Sequence, residues 1–151
     1  MAKRRTHFRV KPGAAPGTIS VDPHAQRPKI GVTAYGPDGL VEESVDEASR
    51  LSGYLERWPV VWVNVVGLGD AETLHTLAEH FGLHRLALED VVNVGQRAKV
   101  DPYDEHLFIV MRMLTQESLG RDEQISMFLG KRSVLTFQER DGDCFDPVST
   151  A

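Results

Sequence analysis

VVWVNVVG, residues 60–67, is a β-branched run with only Asn64 to interrupt it. Such a run suits a strand covered on both faces, and strands of that kind lie inside sheets flanked by helices. Its neighbours fit. On the C-terminal side, Asp70 can cap a helix over AETLHTLAEHFG, in which Leu74, Leu77, Ala78 and Phe81 form one stripe and Gly82 marks the stop. The stretch HRLALEDVVN, residues 84–93, predicts a second helix with the stripe Leu83, Leu86, Ala87, Val91 and Val94.

On the N-terminal side, IGVTAYGPDGLVEESV holds two short apolar runs joined by Gly36-Pro37-Asp38-Gly39, a hairpin signal in which Pro presets φ and Gly accepts positive values. Asp46 can cap a helix running to about Glu56, with Ala48, Leu51 and Leu55 at spacings of three and four. After Gln96 the pattern turns extended. It predicts a short strand, a turn at Asp101-Pro102, a long strand from His106 to Leu114, and then QISMFLG and SVLTFQE as an antiparallel meander linked by Gly130-Lys131-Arg132. The expected fold class is α/β, an αβα sandwich with a mixed parallel and antiparallel sheet covered by helices.

A chain of 151 residues with 41% hydrophobic and 26% charged side chains has the size and composition of one soluble domain. No apolar run approaches the roughly 20 residues of a membrane span. The single Cys144 excludes an internal disulfide and offers no zinc ribbon or redox pair. Residues 1–28 read as a basic, Pro/Gly-rich arm and residues 29–148 as the domain. Residues 1–29 carry seven Lys or Arg against the single acid Asp22, which leaves ten bases and twenty-one acids in the rest of the chain. So acidic a body repels nucleic acid and favours cations, while the arm is read as a loosely ordered, solubilising segment.

The carboxylates Glu89 and Asp90 stand side by side in the second predicted helix. Neighbouring helical positions differ by about 100°, so the two diverge and form no general acid and base pair. Glu89 lies one turn after Arg85, where an ion pair is the plain expectation. Asp90 follows Leu86 and Ala87 on the rim of the apolar stripe, where a carboxylate needs a donor, a partner or a cation. His75, His80 and His84 are close in sequence, but Gly82 breaks the helix between them and their spacing does not converge on one face. GLGD, residues 67–70, follows a strand and precedes a helix as a dinucleotide loop would, yet lacks the third glycine.

The run WVNVVGL, then AEHFGLHRLALEDVVNVGQRAKVDPYDEHLFIVMRM, EQISMFLGKRSVLTFQE and GDCFDPV resembles the cytoplasmic N-terminal domain of the CorA family of magnesium and cobalt transporters. The likeness covers roughly residues 15–148, with Leu-Glu-Asp, Asn-x-x-Gln-Arg-x-Lys and Phe-Asp-Pro-Val in the family's order. Ala98 stands where the family commonly has Pro, and the ending VSTA departs from the family's charged helical continuation, so residues 149–151 read as a truncated end. The resemblance implies a cytoplasmic domain of a membrane-embedded homopentamer. It further implies a weak regulatory Mg2+ site, with Co2+ possible, in which Glu89 and Asp90 face a carboxylate on the stalk helix of the neighbouring protomer. Asn93, Gln96, Arg97 and Lys99 are read as connections between helix and strand. The fragment itself is expected to be a monomer or weak dimer, to conduct no ions, to bind no nucleic acid and to reach the membrane only through helices that lie outside it.

Burial of both carboxylates in ion pairs within one chain would contradict the sensing role. The competing readings are the cytoplasmic domain of a related zinc transporter, a metal-dependent hydrolase using His80, His84 and Asp90, and a binding module acting through the basic arm.

Overall fold

The computed structural model describes residues 13–114 and 122–142. The predicted hairpin forms β1 (Lys29–Gly36) and β2 (Gly39–Val45), and Gly36 pairs with Gly39 across Pro37-Asp38. A 3₁₀ turn over Ala48–Arg50, with Glu47 rather than Asp46 at its N-cap position, leads into α1 (Leu51–Arg57), so the first helix is shorter than expected. Then follow β3 (Val60–Val66), α2 (Ala71–Phe81), α3 (Arg85–Val92), β4 (Lys99–Tyr103), β5 (His106–Leu114), β6 (Asp122–Leu129) and β7 (Ser133–Gln138).

The seven strands make one mixed sheet in the order β2-β1-β3-β7-β6-β5-β4. All neighbours are antiparallel except β3 and β7, which pair in parallel from Val61 against Ser133 to Val66 against Gln138. This is the α/β class expected from the sequence. The helices among the described residues pack on one face of the sheet, where Val32, Val63, Leu135, Phe128 and Phe108 meet Leu51, Leu74, Leu77 and Leu88 in a single core. The coverage of β3 on both faces is therefore corrected for the described residues: Val61, Val63 and Val65 are fully buried, and Trp62, Asn64 and Val66 on the other side only partly. That second side is polar for a reason, since Trp62 Nε1 donates to Thr136 Oγ1 at 3.0 Å, which donates to Asn64 Oδ1 at 2.8 Å.

Two further expectations are corrected. Asp101-Pro102 lies inside β4, and the reversal comes at Asp104-Glu105, with Asp104 at φ 47°. β4 is an edge strand, where the missing proline N–H costs no ladder bond. In α3 the inward stripe is Ala87, Leu88 and Val91, and Leu86 is 46% exposed. The frame is set by His84, whose Nδ1 accepts the Leu86 N–H at 3.2 Å and caps the helix.

Beyond the C-terminal end of β7, the Glu123 carboxylate accepts the backbone N–H groups of Glu139 and Arg140 at 3.0 and 2.9 Å. Burial pushes its pKa above the usual carboxylate range, against the smaller opposing pull of those N–H groups. A carboxyl whose folded pKa is raised holds its proton more tightly in the fold. Its contribution is thus complete below the ordinary value of 4.5 and is lost as pH rises through the elevated folded one. Glu123→Gln keeps an oxygen for both N–H groups without a charge. It is expected to be more stable than the parent at pH 7 and close to it near pH 4, as read from denaturant midpoints at the two pH values.

Candidate functional site around helix α3

Helix α3 lies antiparallel over β4 and is fixed to it along its length. At its N-terminal end the His84 ring stacks on Tyr103 with centroids 4.7 Å apart. In the middle, Lys99 at the start of β4 reaches back to Asp90, Nζ to Oδ2 2.7 Å, and also bonds Asp101 Oδ2 at 2.9 Å. Lys99 Nζ sits 5.7 Å from the Phe108 ring centroid, within cation–π range. At the C-terminal end two side chains from the sheet take over, and neither had been singled out in the sequence.

Gln124, 2% exposed, donates through Nε2 to the Asp90 carbonyl at 2.9 Å and to Ser126 Oγ at 3.0 Å, and accepts the Gln96 N–H at 3.0 Å. Arg112, its cross-strand partner, donates to the carbonyls of Val94 and Gln96 at 3.0 and 3.4 Å and pairs with Asp122 at 2.8 Å. These two groups satisfy the end of α3 and the loop after it. The connecting role expected for Gln96 and Lys99 agrees with this arrangement.

Glu89 and Asp90 diverge as the helix requires. The Glu89 carboxylate accepts the backbone N–H of Gly17 in the lead-in segment, whereas Asp90 turns to Lys99. One part of the condition set against a sensing role is therefore met: Asp90 is ion-paired within its own chain. The other part is not, because the Asp90 and Lys99 side chains keep 24% and 29% of their exposure. The Asp90 carboxylate, more than Asp101, holds the Lys99 pKa above its ordinary value against the opposing effect of partial burial.

The histidines do not assemble. His75 and His80 are exposed on α2, and His84 is occupied in capping and stacking. No three His, Cys, Asp or Glu side chains among the described residues are placed to hold a metal ion, which removes the basis for a hydrolase built on His80, His84 and Asp90. A hard cation at Asp90 still suits the donor chemistry, since carboxylate oxygen with retained water is how Mg2+ is commonly held.

The GLGD loop is explained by packing. A Cβ on Gly67, at φ 101°, would lie 2.5 Å from the Arg27 carbonyl oxygen, and one on Gly69 would lie 2.3 Å from that of Ala25. The lead-in backbone occupies the space a phosphate would need, and Gly69 N–H donates to the Gln26 carbonyl at 2.8 Å. Ile19 from the same lead-in is buried in the core. Beside it a crevice of about 250 Å³ opens between Val21, His24, Leu68 and Val94. On the far face of the sheet a shallow groove of about 580 Å³ runs past Thr33, Glu42, Trp62 and Asn64.

The chain has known relatives in sequence and in fold. The sequence profile of the family described as CorA-like Mg2+ transporter protein matches residues 59–151, from the start of β3 onward, and this chain belongs to that family. It is 33% identical over 142 residues to the cobalt/magnesium transport protein CorA of Thermotoga maritima, covering 91% of this chain and 40% of that protein. The soluble domain of CorA from Methanocaldococcus jannaschii superposes with a TM-score of 0.53 at 16% identity, over 72% of this chain and 39% of that one. The complete CorA magnesium transporter from the same organism gives 0.55 at 16% identity, over 76% and 33%. The chain thus spans about 40% of the length of the Thermotoga protein. No helix among the described residues is long and apolar enough to cross a membrane.

Replacing Gln124 strips partners from Asp90 C=O, Gln96 N–H and Ser126 at once and leaves a cavity. Gln124→Ala is expected to cost about 2–4 kcal/mol in denaturant unfolding. A loss under about 0.5 kcal/mol would show that the end of α3 does not depend on this side chain.

Proposed function

We propose that this chain is the cytoplasmic regulatory domain of a CorA-type Mg2+/Co2+ transporter. In this reading it does not conduct ions itself, and it senses a divalent cation through Glu89 and Asp90 on α3. Family membership supports the transporter context, and the observation that carries the site is Asp90: a partly exposed carboxylate that already holds a cationic partner, on a helix clamped at both ends. Its oxygen chemistry matches Mg2+, which dehydrates reluctantly and commonly takes one or two carboxylates with water.

No three such ligands meet within one chain among the described residues, so water and a neighbouring protomer of a homopentamer supply donors beyond those of this chain. Bound cation screens the repulsion between acidic domains and favours their closed arrangement, and its loss lets them separate. Linkage then requires tighter Mg2+ binding to the closed state than to the open one.

Isothermal titration of Mg2+ and Co2+ into the chain, beside Glu89→Ala/Asp90→Ala, tests the site, with sedimentation on the same samples. The expected result is binding in the range of about 10⁻⁴ to 10⁻³ M that the double variant abolishes, on a chain that sediments as a monomer or weak dimer. Equal binding by parent and variant would move the cation elsewhere and overturn the assignment.

A further inference from the structure

Lys99 is an unusual neighbour for a carboxylate meant to receive a cation. Its ammonium is 2.7 Å from Asp90 Oδ2 and 2.9 Å from Asp101 Oδ2, so it bridges a carboxylate of α3 and a carboxylate of β4. All three side chains retain solvent access, at 29% for Lys99, 24% for Asp90 and 41% for Asp101. The bond is therefore not a sealed core pair whose rupture would open the domain. The stem of Lys99 is flexible and its charge compact, so the ammonium can leave for water without disturbing the core. The rest of the site is held independently, by Gln124 on the Asp90 carbonyl and by the pairing of Lys99 with Val110 and Asp101 with Phe108 in the β4–β5 ladder.

We propose that Lys99 is a built-in competitor for the cation that the reading above brings to Asp90, and that Asp101 is the second carboxylate which the departing ammonium exposes to that cation. This rests on the proposed sensing role and adds its regulation. The seat between Asp90 and Asp101 is always occupied by positive charge, by Lys99 when divalent cation is scarce and by the divalent ion when it is abundant. The weakness of the site follows from that competition. An ion entering with two charges must release a resident charge of one, so the apparent affinity is lowered by whatever the Lys99 contacts contribute. The exchange replaces the Lys99 tie between α3 and β4 with the ion's own contacts to Asp90 and Asp101, while the His84–Tyr103 stack keeps the two elements together.

The test uses the chain with Mg2+ and Co2+ as probes. Lys99→Met removes the competitor and keeps much of the stem, Lys99→Arg keeps a cation that grips carboxylates more firmly, and Asp101→Asn in the Lys99→Met background removes the second carboxylate. Thermal melts establish that each variant is folded. The expected result is binding about tenfold tighter in Lys99→Met, no tighter in Lys99→Arg, and weakened again by Asp101→Asn. In the parent chain, the side-chain NMR signals of Lys99, assigned with Lys99→Arg, should move at the same Mg2+ midpoint as calorimetric binding. This second readout does not require Lys99→Met to fold.

If the parent binds Mg2+ through Asp90, but Lys99→Met binds no more tightly and the Lys99 signals stay still, the competitor role is overturned and the sensing role stands. If neither parent nor Lys99→Met binds Mg2+ or Co2+, both fall together.

Discussion

β3 and β7 lie side by side in parallel, with Trp62 bonded to Thr136 across 74 residues of sequence, and the rest of the architecture follows from that pairing. A parallel pair needs a crossover. Among the described residues the crossover contains two helices and three strands: α2 and α3 pass over the core face, β4 starts the far edge, and β5 and β6 return to deliver β7 beside β3. Closing so long a connection costs entropy that local contacts cannot recover. The compensating burial is concentrated in Val61, Val63, Val65, Leu135 and Phe137, each 1% exposed or less.

The same crossover explains why α3 is so firmly held. It is the last helix before the chain turns into the edge strand, and it covers the phenylalanine cluster of Phe108 and Phe128, whose centroids are 4.8 Å apart. Polar groups from the sheet, the half-buried Arg112 and the buried Gln124, reach up to the carbonyl groups that the helix end leaves over. A carboxylate on this helix is consequently presented in a fixed place rather than on a mobile loop. In the proposed function that is the value of Asp90, and Lys99 maintains the charge balance of the presented group until another cation takes its place.

Local chemistry made much of this readable in the sequence. Gly-Pro-Asp-Gly announced the first hairpin because the turn demands those residues, and the stop of α2 at Gly82 was plain because the C-cap there has φ 64°. The helix over residues 84–93 was visible, but its inward stripe was displaced from Leu88 to Leu86, since nothing in the pattern reveals that His84 would act as the cap. Pro102 reads as a turn in the sequence because an edge position, where proline is tolerated, depends on strand order, and strand order is a long-range property. Of the site, Glu89 and Asp90 were apparent as a divergent pair from helical geometry alone. Their partners were not: Gly17 is 72 residues from Glu89, and Lys99 meets Asp90 only because α3 folds back along β4. Gln124 and Arg112 looked like ordinary polar positions in strands, and only the register of β5 against β6 puts them together under the helix end.

The central claim is that a divalent cation is received at the junction of α3 and β4. A backbone amide NMR titration of the chain with Mg2+ addresses it most directly. The account predicts saturable shifts centred on Leu88 to Val91 and on Lys99 to Asp101, with the acidic β2 segment Glu42 to Val45 unaffected. Shifts concentrated on that β2 segment, or none that saturate anywhere, would contradict it.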